Sequence, residues 1–323
     1  MKKKKILFLT NHLAFFVSHR FNIFQESKKR SYDFLLLSGK KSSIKMEKIA
    51  QKKIKLHKVP YKIIDFNSYD FKILKEIKSI INLYKIIKKY QPDIFHTVAP
   101  KTNLYGGLLS LFLNINLTVL SFSGMGFLFT GKLSFKDFLK KKIYKIFLKI
   151  IFINKNLVVI VQNKTDYMFF KKEFNLKKNV KLIKGGSGIN FKKLNKIKKN
   201  KAKNIVFSGR LVFNKGIKEY IEAAKELKND FPDWNFLIYG TRDYLSRDKF
   251  NLDDYKREIK EKVIIYKGYE KDVGNIIKNT TIFCLPSYRE GMPKSVLEAS
   301  AAGIPCVVSD APGCKESIIN RST

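Results

Sequence analysis

The chain has 323 residues, of which 45% are apolar, with 17 Gly and 8 Pro. This is too long for one ordinary core, fits two domains of roughly 150 residues, and excludes collagen-like or linker-like chains. Three cysteines cannot build a disulfide framework, and no CxxC pair or Cys/His cluster has metal-site spacing. The reducing cytosol is the expected compartment. The formal charge is +38, which taken alone points to nucleic acid or an anionic membrane. It is unevenly distributed: residues 1–200 carry 44 basic and 10 acidic side chains, residues 201–323 carry 21 and 17. A compositional bias toward Lys, Ile, Asn and Phe explains the abundance of lysine, but such a bias acts on both halves and explains the asymmetry less well.

The lysine run at residues 2–5 precedes only four apolar residues, Ile6–Leu9, too few for a signal peptide. The pattern predicts strands at 5–10 and 34–37, a helix over 15–30, a one-sided helix over 71–90 and a strand at 94–98. Residues 102–131 carry no charge, but glycine, asparagine and serine interrupt them. They read as a buried helix (102–113), a strand (117–121) and a glycine-bearing loop (123–131) rather than a membrane span. Residues 132–153 interleave seven lysines with aromatic and aliphatic residues and one acid, Asp137. That pattern fits either a helix lying in a lipid interface or a basic helix packed on a sheet. Further strands are expected at 157–161 and 180–183.

After the lysine- and asparagine-rich stretch 191–203 the rhythm restarts. Strands are expected at 204–208, 235–239, 263–266, 281–285 and 305–308, and helices at 215–228, 252–260, 271–278 and 292–302. Short apolar strands alternating with amphipathic helices predict parallel α/β layers. The run Cys306-Val307-Val308 reads as a central strand, since buried parallel strands are continuously apolar, and Cys306 as buried and inert. The domain boundaries read as 1–185, a linker region 186–203, and 204–323.

Two segments carry chemistry. Gly209-Arg210-Leu211 and then Lys215-Gly216 place two cations five residues apart, at the carboxyl end of a strand and before a helix amino terminus. A diphosphate would satisfy the planar guanidinium, the ammonium and the helix N–H groups together. In Tyr288-Arg289-Glu290-Gly291-Met292-Pro293-Lys294-Ser295-Val296-Leu297-Glu298-Ala299, Glu290 precedes a helix and Glu298 lies two turns inside it. Gly291 permits close backbone approach and Pro293 suits a first helical turn. A carboxylate among Val296, Leu297 and Ala299 needs a partner, and sugar hydroxyls would serve.

The paired glutamates, the Gly209–Gly216 segment and Gly186-Ser187-Gly188-Ile189-Asn190 resemble, in order and spacing, the retaining glycosyltransferases of family 4. The resemblance covers nearly the whole chain. Phe15-Phe16-Val17-Ser18-His19-Arg20, Pro100-Lys101 with Tyr105-Gly106-Gly107, and Gly124-Met125-Gly126-Phe127-Leu128-Phe129-Thr130-Gly131 narrow it. They are similar to the subgroup that extends undecaprenyl-diphosphate-linked or surface glycans with sugars such as N-acetylhexosamine. The resemblance implies the GT-B fold, two Rossmann-like domains facing a central cleft, with the second domain incomplete because relatives continue beyond this chain's last residue. It departs at Asn11-His12-Leu13-Ala14-Phe15, where the family has a glycine-rich turn.

By the same resemblance, Arg210, Lys215 and Glu290 are the catalytic group. Gly209, Arg210 and Lys215 hold the diphosphate, and Glu290 with Gly291, Met292, Pro293 and Lys294 holds the donor sugar. Glu298 takes the ribose, and the nucleobase lies near Lys267–Val273. His19 and His96 are candidate acceptor-side residues. No metal or cofactor is implied; the donor is a nucleotide sugar, UDP-linked. The implied partners are a lipid-linked or surface-glycan acceptor and an anionic membrane, with the enzyme peripheral to the inner face of the cell membrane. The competing classes are a basic nucleic-acid-binding protein, which lacks any recognition motif here and is not expected, and a nucleotide-sugar epimerase, against which the glutamate spacing argues.

Overall fold

The computed structural model describes residues 3–40, 44–66, 73–126, 129, 134–243, 246 and 248–319. The chain divides into two compact units, Met1–Ile183 and Lys184–Thr323, each an α/β layer structure around one parallel sheet.

The first unit runs β1 (Lys5–Thr10), α1 (Leu13–His19), α2 (Phe21–Lys29), β2 (Asp33–Ser38), α3 (Ile44–Leu56), β3 (Tyr61–Ile63), α4 (Ile73–Tyr90), β4 (Ile94–Val98), α5 (Pro100–Leu109), β5 (Leu117–Phe122), α6 (Phe135–Ile151), β6 (Leu157–Val161), α7 (Lys164–Glu173) and β7 (Val180–Leu182). Its strands lie in the order β3-β2-β1-β4-β5-β6-β7. The apolar runs Ile6–Leu9 and Leu157–Val161 pair on both edges and become buried strands. The expected helix over 15–30 is two helices. Arg20 leaves helical geometry at φ −133° and is both the end of α1 and the start of α2. The expected helix over 102–113 is α5, which begins earlier, with Pro100 in its first turn, and ends at Leu109. The glycine-rich character of α5 has a packing reason: a Cβ on Gly106 would lie 2.4 Å from the Thr97 side chain, and one on Gly107 2.6 Å from Ile151. Of the helix expected over 71–90 and the loop over 123–131, residues 71, 72, 127, 128, 130 and 131 lie outside the described residues.

The second unit runs α8 (Phe191–Leu194), β8 (Asn204–Ser208), α9 (Ile217–Asp230), β9 (Asn235–Tyr239), α10 (Lys256–Lys260), β10 (Ile265–Gly268), α11 (Val273–Lys278), β11 (Ile282–Leu285), α12 (Lys294–Ala301) and β12 (Cys306–Val308), in the strand order β10-β9-β8-β11-β12. Short 3-10 turns precede α9 (Phe213–Lys215) and α10 (Leu252–Tyr255). The 186–203 segment lies with this unit, where Leu194 enters the core. One expectation fails: Cys306–Val308 is an edge strand, pairing with β11, and Val307 is 57% exposed. Three apolar residues are too short a run to distinguish an edge from a centre. The centre is β8, flanked by β9 and β11.

In both sheets the chain order reverses beside the first strand, between β1 and β4 and between β8 and β11. The carboxyl-end loops on either side of such a reversal diverge and leave a crevice where open α/β sheets take ligands. In the second unit the gap is narrow at one point. Gly216 has φ 72°, and a Cβ there would lie 2.1 Å from the Pro286 carbonyl oxygen just past β11. In the first unit, the β4 residue His96 sits under Phe8, ring centroids 4.6 Å apart, with Nε2 2.7 Å from Ser121 Oγ. Burial, and secondarily the Arg20 charge, push the imidazole down to about 3.

Two outcomes follow from these positions. Gly216→Ala combines a left-handed backbone with a backbone clash and should cost about 2–3 kcal/mol or more, read as a lower denaturation midpoint for the second unit. An unchanged midpoint would show that the loop relaxes freely. For His96, the folded state keeps the ring neutral, whereas the unfolded chain binds a proton below about pH 6.5. Its contribution is present above that pH and is lost as pH falls toward about 3. His96→Gln should therefore reduce the stability loss between about pH 7 and pH 5 by up to roughly 2 kcal/mol. Equal pH dependence in denaturant unfolding would contradict the buried neutral ring.

Candidate functional site

The crevice between β8 and β11 assembles the second-unit residues that the sequence singles out. Gly209 leaves β8 with its N–H on the Tyr239 carbonyl (3.0 Å). Arg210 then projects 57% exposed, Nη1 2.9 Å from Asp243 Oδ2. The 3-10 turn lifts Lys215 to the amino end of α9. Gly216 caps that helix in left-handed geometry, and no side chain occupies the cap. The helix dipole and N–H groups therefore open onto the same crevice that Lys215 enters.

From the other side, the loop after β11 crosses over this turn. The Tyr288 N–H donates to the Asn214 carbonyl at 3.0 Å, and the Glu290 N–H donates to the Pro312 carbonyl at 2.9 Å. Lys215 Nζ and Glu290 Oε1 form a direct ion pair, with side chains 22% and 13% exposed. Ser287, at the base of this loop, is buried. Its carbonyl accepts the Ser309 hydroxyl and its own hydroxyl donates to the Lys215 carbonyl at 3.5 Å. Gly313 closes the loop from behind: a Cβ there would fall 2.3 Å from the Glu290 carbonyl oxygen.

Pro293 precedes α12 and provides no side-chain cap. Met292 packs on Gly186, where a Cβ would lie 2.7 Å from Met292 Cβ. Glu298 stands one turn beyond Lys294, Oε1 3.4 Å from Lys294 Nζ. Burial raises its carboxyl above the ordinary carboxylate range, with Lys294 pulling the other way. A desolvated carboxylate of this kind gains from hydroxyl donors.

Thus Lys215 and Glu290 meet directly, and Gly209, Arg210, Gly291, Met292, Pro293, Lys294 and Glu298 lie on the two loops and helix starts that frame them. Sequence reasoning missed Asp243, which pairs with Arg210, and Asp248, which accepts the Asn214 N–H at 2.8 Å. The available signal was positional: both follow β9, the neighbour of β8, so their loop lies on the same sheet edge. Asp253-Asp254, expected in a helix, lie in the 3-10 turn, where Asp253 pairs with Arg242. Among the described residues, no three His, Cys, Asp or Glu side chains converge as metal ligands.

In the first unit, His96 is held as described above. His19 ends α1, its ring stacked on Phe15 at 4.8 Å and its Nδ1 2.6 Å from Ser18 Oγ. Arg20 is buried, which lowers it to about 10, and it donates to the Ser123 hydroxyl and to the His19 carbonyl. His12 caps α1 by accepting the Phe15 N–H at 3.2 Å. It stands 3.5 Å from the buried Glu47.

Residues 5–163 match the model described as glycosyl transferase 4-like, and residues 189–323 match glycosyl transferases group 1. The chain is 32% identical over 255 residues to the Escherichia coli UDP-Gal:alpha-D-GlcNAc-diphosphoundecaprenol alpha-1,3-galactosyltransferase, covering 75% of this chain and 64% of that one. It is 29% identical over 266 residues to the Campylobacter jejuni N,N'-diacetylbacillosaminyl-diphospho-undecaprenol alpha-1,3-N-acetylgalactosaminyltransferase, covering 76% and 66%. The chain thus spans just under two thirds of each relative's length. Among solved structures, Anabaena HepE in complex with UDP superposes with a TM-score of 0.68 at 15% identity, over 96% of this chain and 81% of that one. Two parallel-sheet units, each with its own glycosyltransferase match, relate this chain to the GT-B-fold glycosyltransferases of the 4-like group.

Proposed function

We propose that the chain is a retaining glycosyltransferase. It would move a hexose or N-acetylhexosamine from a UDP-linked donor to a lipid-linked saccharide, without a metal. The observation that carries this reading is the Lys215–Glu290 pair at the β8/β11 crevice, beside the uncapped amino end of α9. A cation and a helix amino terminus suit a diphosphate, and a carboxylate next to them suits sugar hydroxyls. The two undecaprenyl-diphosphate relatives support the donor and acceptor classes.

In this reading Arg210 and Lys215 hold the diphosphate and stabilise the leaving group as its charge grows. Donor binding exchanges the Arg210–Asp243 and Lys215–Glu290 contacts for contacts to phosphate and frees the Glu290 carboxylate to accept hydroxyls of the donor sugar. Backbone N–H groups over Gly291–Lys294 assist. Glu298 accepts from the ribose, and the base lies along Lys267–Val273. His19 and His96 serve the acceptor side. Retention proceeds by attack on the same face as departure, so no protein nucleophile is required.

The direct test is transfer of labelled sugar from a panel of nucleotide sugars to membrane lipid extract. Transfer from a UDP-sugar to lipid is expected; isomerised donor without transfer would favour an epimerase. Lys215→Ala should lose about 2 kcal/mol or more of transition-state stabilisation, roughly thirtyfold in kcat/KM. Activity within about threefold of the parent would remove Lys215 from this role. Glu298→Ala should raise the donor KM about tenfold while changing kcat less, as loss of a ground-state hydrogen bond does. A pure kcat effect would place Glu298 in the chemistry instead.

A further inference from the structure

The helix α6 is apolar on two opposite sides. Its inner side is ordinary: Tyr144, Leu148 and Ile151 are buried in the core beside Leu120, Phe122 and Phe170. Its outer side is not. Phe135 is 82% exposed and Ile146 57%, and Phe138, Leu139, Ile143 and Ile150 are exposed as well. At about 100° per residue five of these, all but Phe138, form one continuous stripe, centred roughly 150° from the buried side. Lys136 and Lys140 fall along one border of the stripe, and Lys142, Lys145 and Lys149 along the other. A helix that merely packs on a sheet presents polar residues outward. This one presents aromatic and aliphatic side chains bordered by cations.

We propose that α6 is an interfacial anchor that lies flat on a lipid bilayer carrying anionic headgroups. Its stripe enters the acyl boundary, and its bordering lysines meet the headgroups. The charge decides the occupant. Six lysines against the single acid Asp137 on one helix would repel a second copy laid stripe to stripe. A nucleic acid would neutralise the lysines but leave the apolar stripe against phosphates and water. Only a surface that is negative outside and apolar beneath satisfies both sets. Lys145 is partly committed to Glu173 at 2.5 Å and Lys140 to Asp137 at 3.0 Å, so apolar burial is the main source of attachment and charge sets the preference among lipids. Among the described residues no helix is long and apolar enough to cross a membrane, and the attachment inferred here lies on the surface. It stands apart from the reading of the β8/β11 crevice.

The test is flotation of the full chain with vesicles of phosphatidylglycerol and phosphatidylcholine, and with phosphatidylcholine alone. Binding to the mixed vesicles that weakens with salt is expected. Replacing Leu139, Ile146 and Ile150 together by Ser should weaken it at least about tenfold. Replacing Lys136, Lys142 and Lys149 by Gln should abolish the preference for the anionic vesicles. Both variants should keep the parent's circular dichroism and melting temperature, because the altered side chains are exposed, and both should keep UDP binding. Unchanged flotation of the serine variant would overturn the proposal. So would a parent dimer that the serine variant dissociates, or binding to duplex DNA that the lysine variant alone abolishes. Loss of UDP binding in the parent would count against the proposed function and leave this inference untouched.

Discussion

The second unit depends on one close approach, Gly216 against the carbonyl of Pro286, where no side-chain carbon fits. That contact brings the turn after β8 and the loop after β11 within side-chain reach. Without it Lys215 and Glu290, which come from opposite sides of a chain reversal, would not form an ion pair. A left-handed glycine stores little strain where any other residue would store a good deal. The helix that follows starts on a glycine that makes no side-chain cap hydrogen bond. Gly313, pressed on the Glu290 carbonyl, and Ser309, on the Ser287 carbonyl, hold the second loop from its far side.

The electrostatics of the crevice follow from this packing. Two of its cations are matched by carboxylates, Lys215 by Glu290 and Arg210 by Asp243. A desolvated pair contributes little net stability, because separating ions from water offsets most of their attraction. It contributes orientation: each side chain is held in one place, and an anionic ligand can exchange partners with it. This agrees with the modest charge excess of residues 201–323. The excess basic charge lies in residues 1–200, and α6 shows that there it borders an apolar stripe. On the two readings proposed above, the two halves of the sequence carry different kinds of recognition chemistry, one directional and one diffuse.

The sheet strands were largely legible because buried parallel strands read as apolar runs. Residues 5–10, 94–98, 157–161, 204–208 and 235–239 match the observed strands residue for residue. Two of the four edge strands were not legible as such. Cys306–Val308 has the composition of a centre and the position of an edge, and β3, whose residues include Lys62, did not read as a strand at all. Helix α3 was also missed: its segment is crowded with lysine, and its burial rests on few residues, such as Ala50 and Ile54. The break at Arg20 is a tertiary effect, since the guanidinium is drawn into the unit to reach Ser123. At the candidate site, the glutamates and cations could be named from spacing, whereas Asp243 could not. Its pairing with Arg210 spans 33 residues and exists only because β9 lies beside β8.

Hydrogen exchange with and without UDP tests the central claim most directly, that the β8/β11 crevice is a nucleotide-diphosphate site. The account predicts slowed amide exchange in residues 209–218 and 288–298, together with the loop after β10, and no slowing around α6. Protection confined to other segments, or none at saturating UDP, would contradict it.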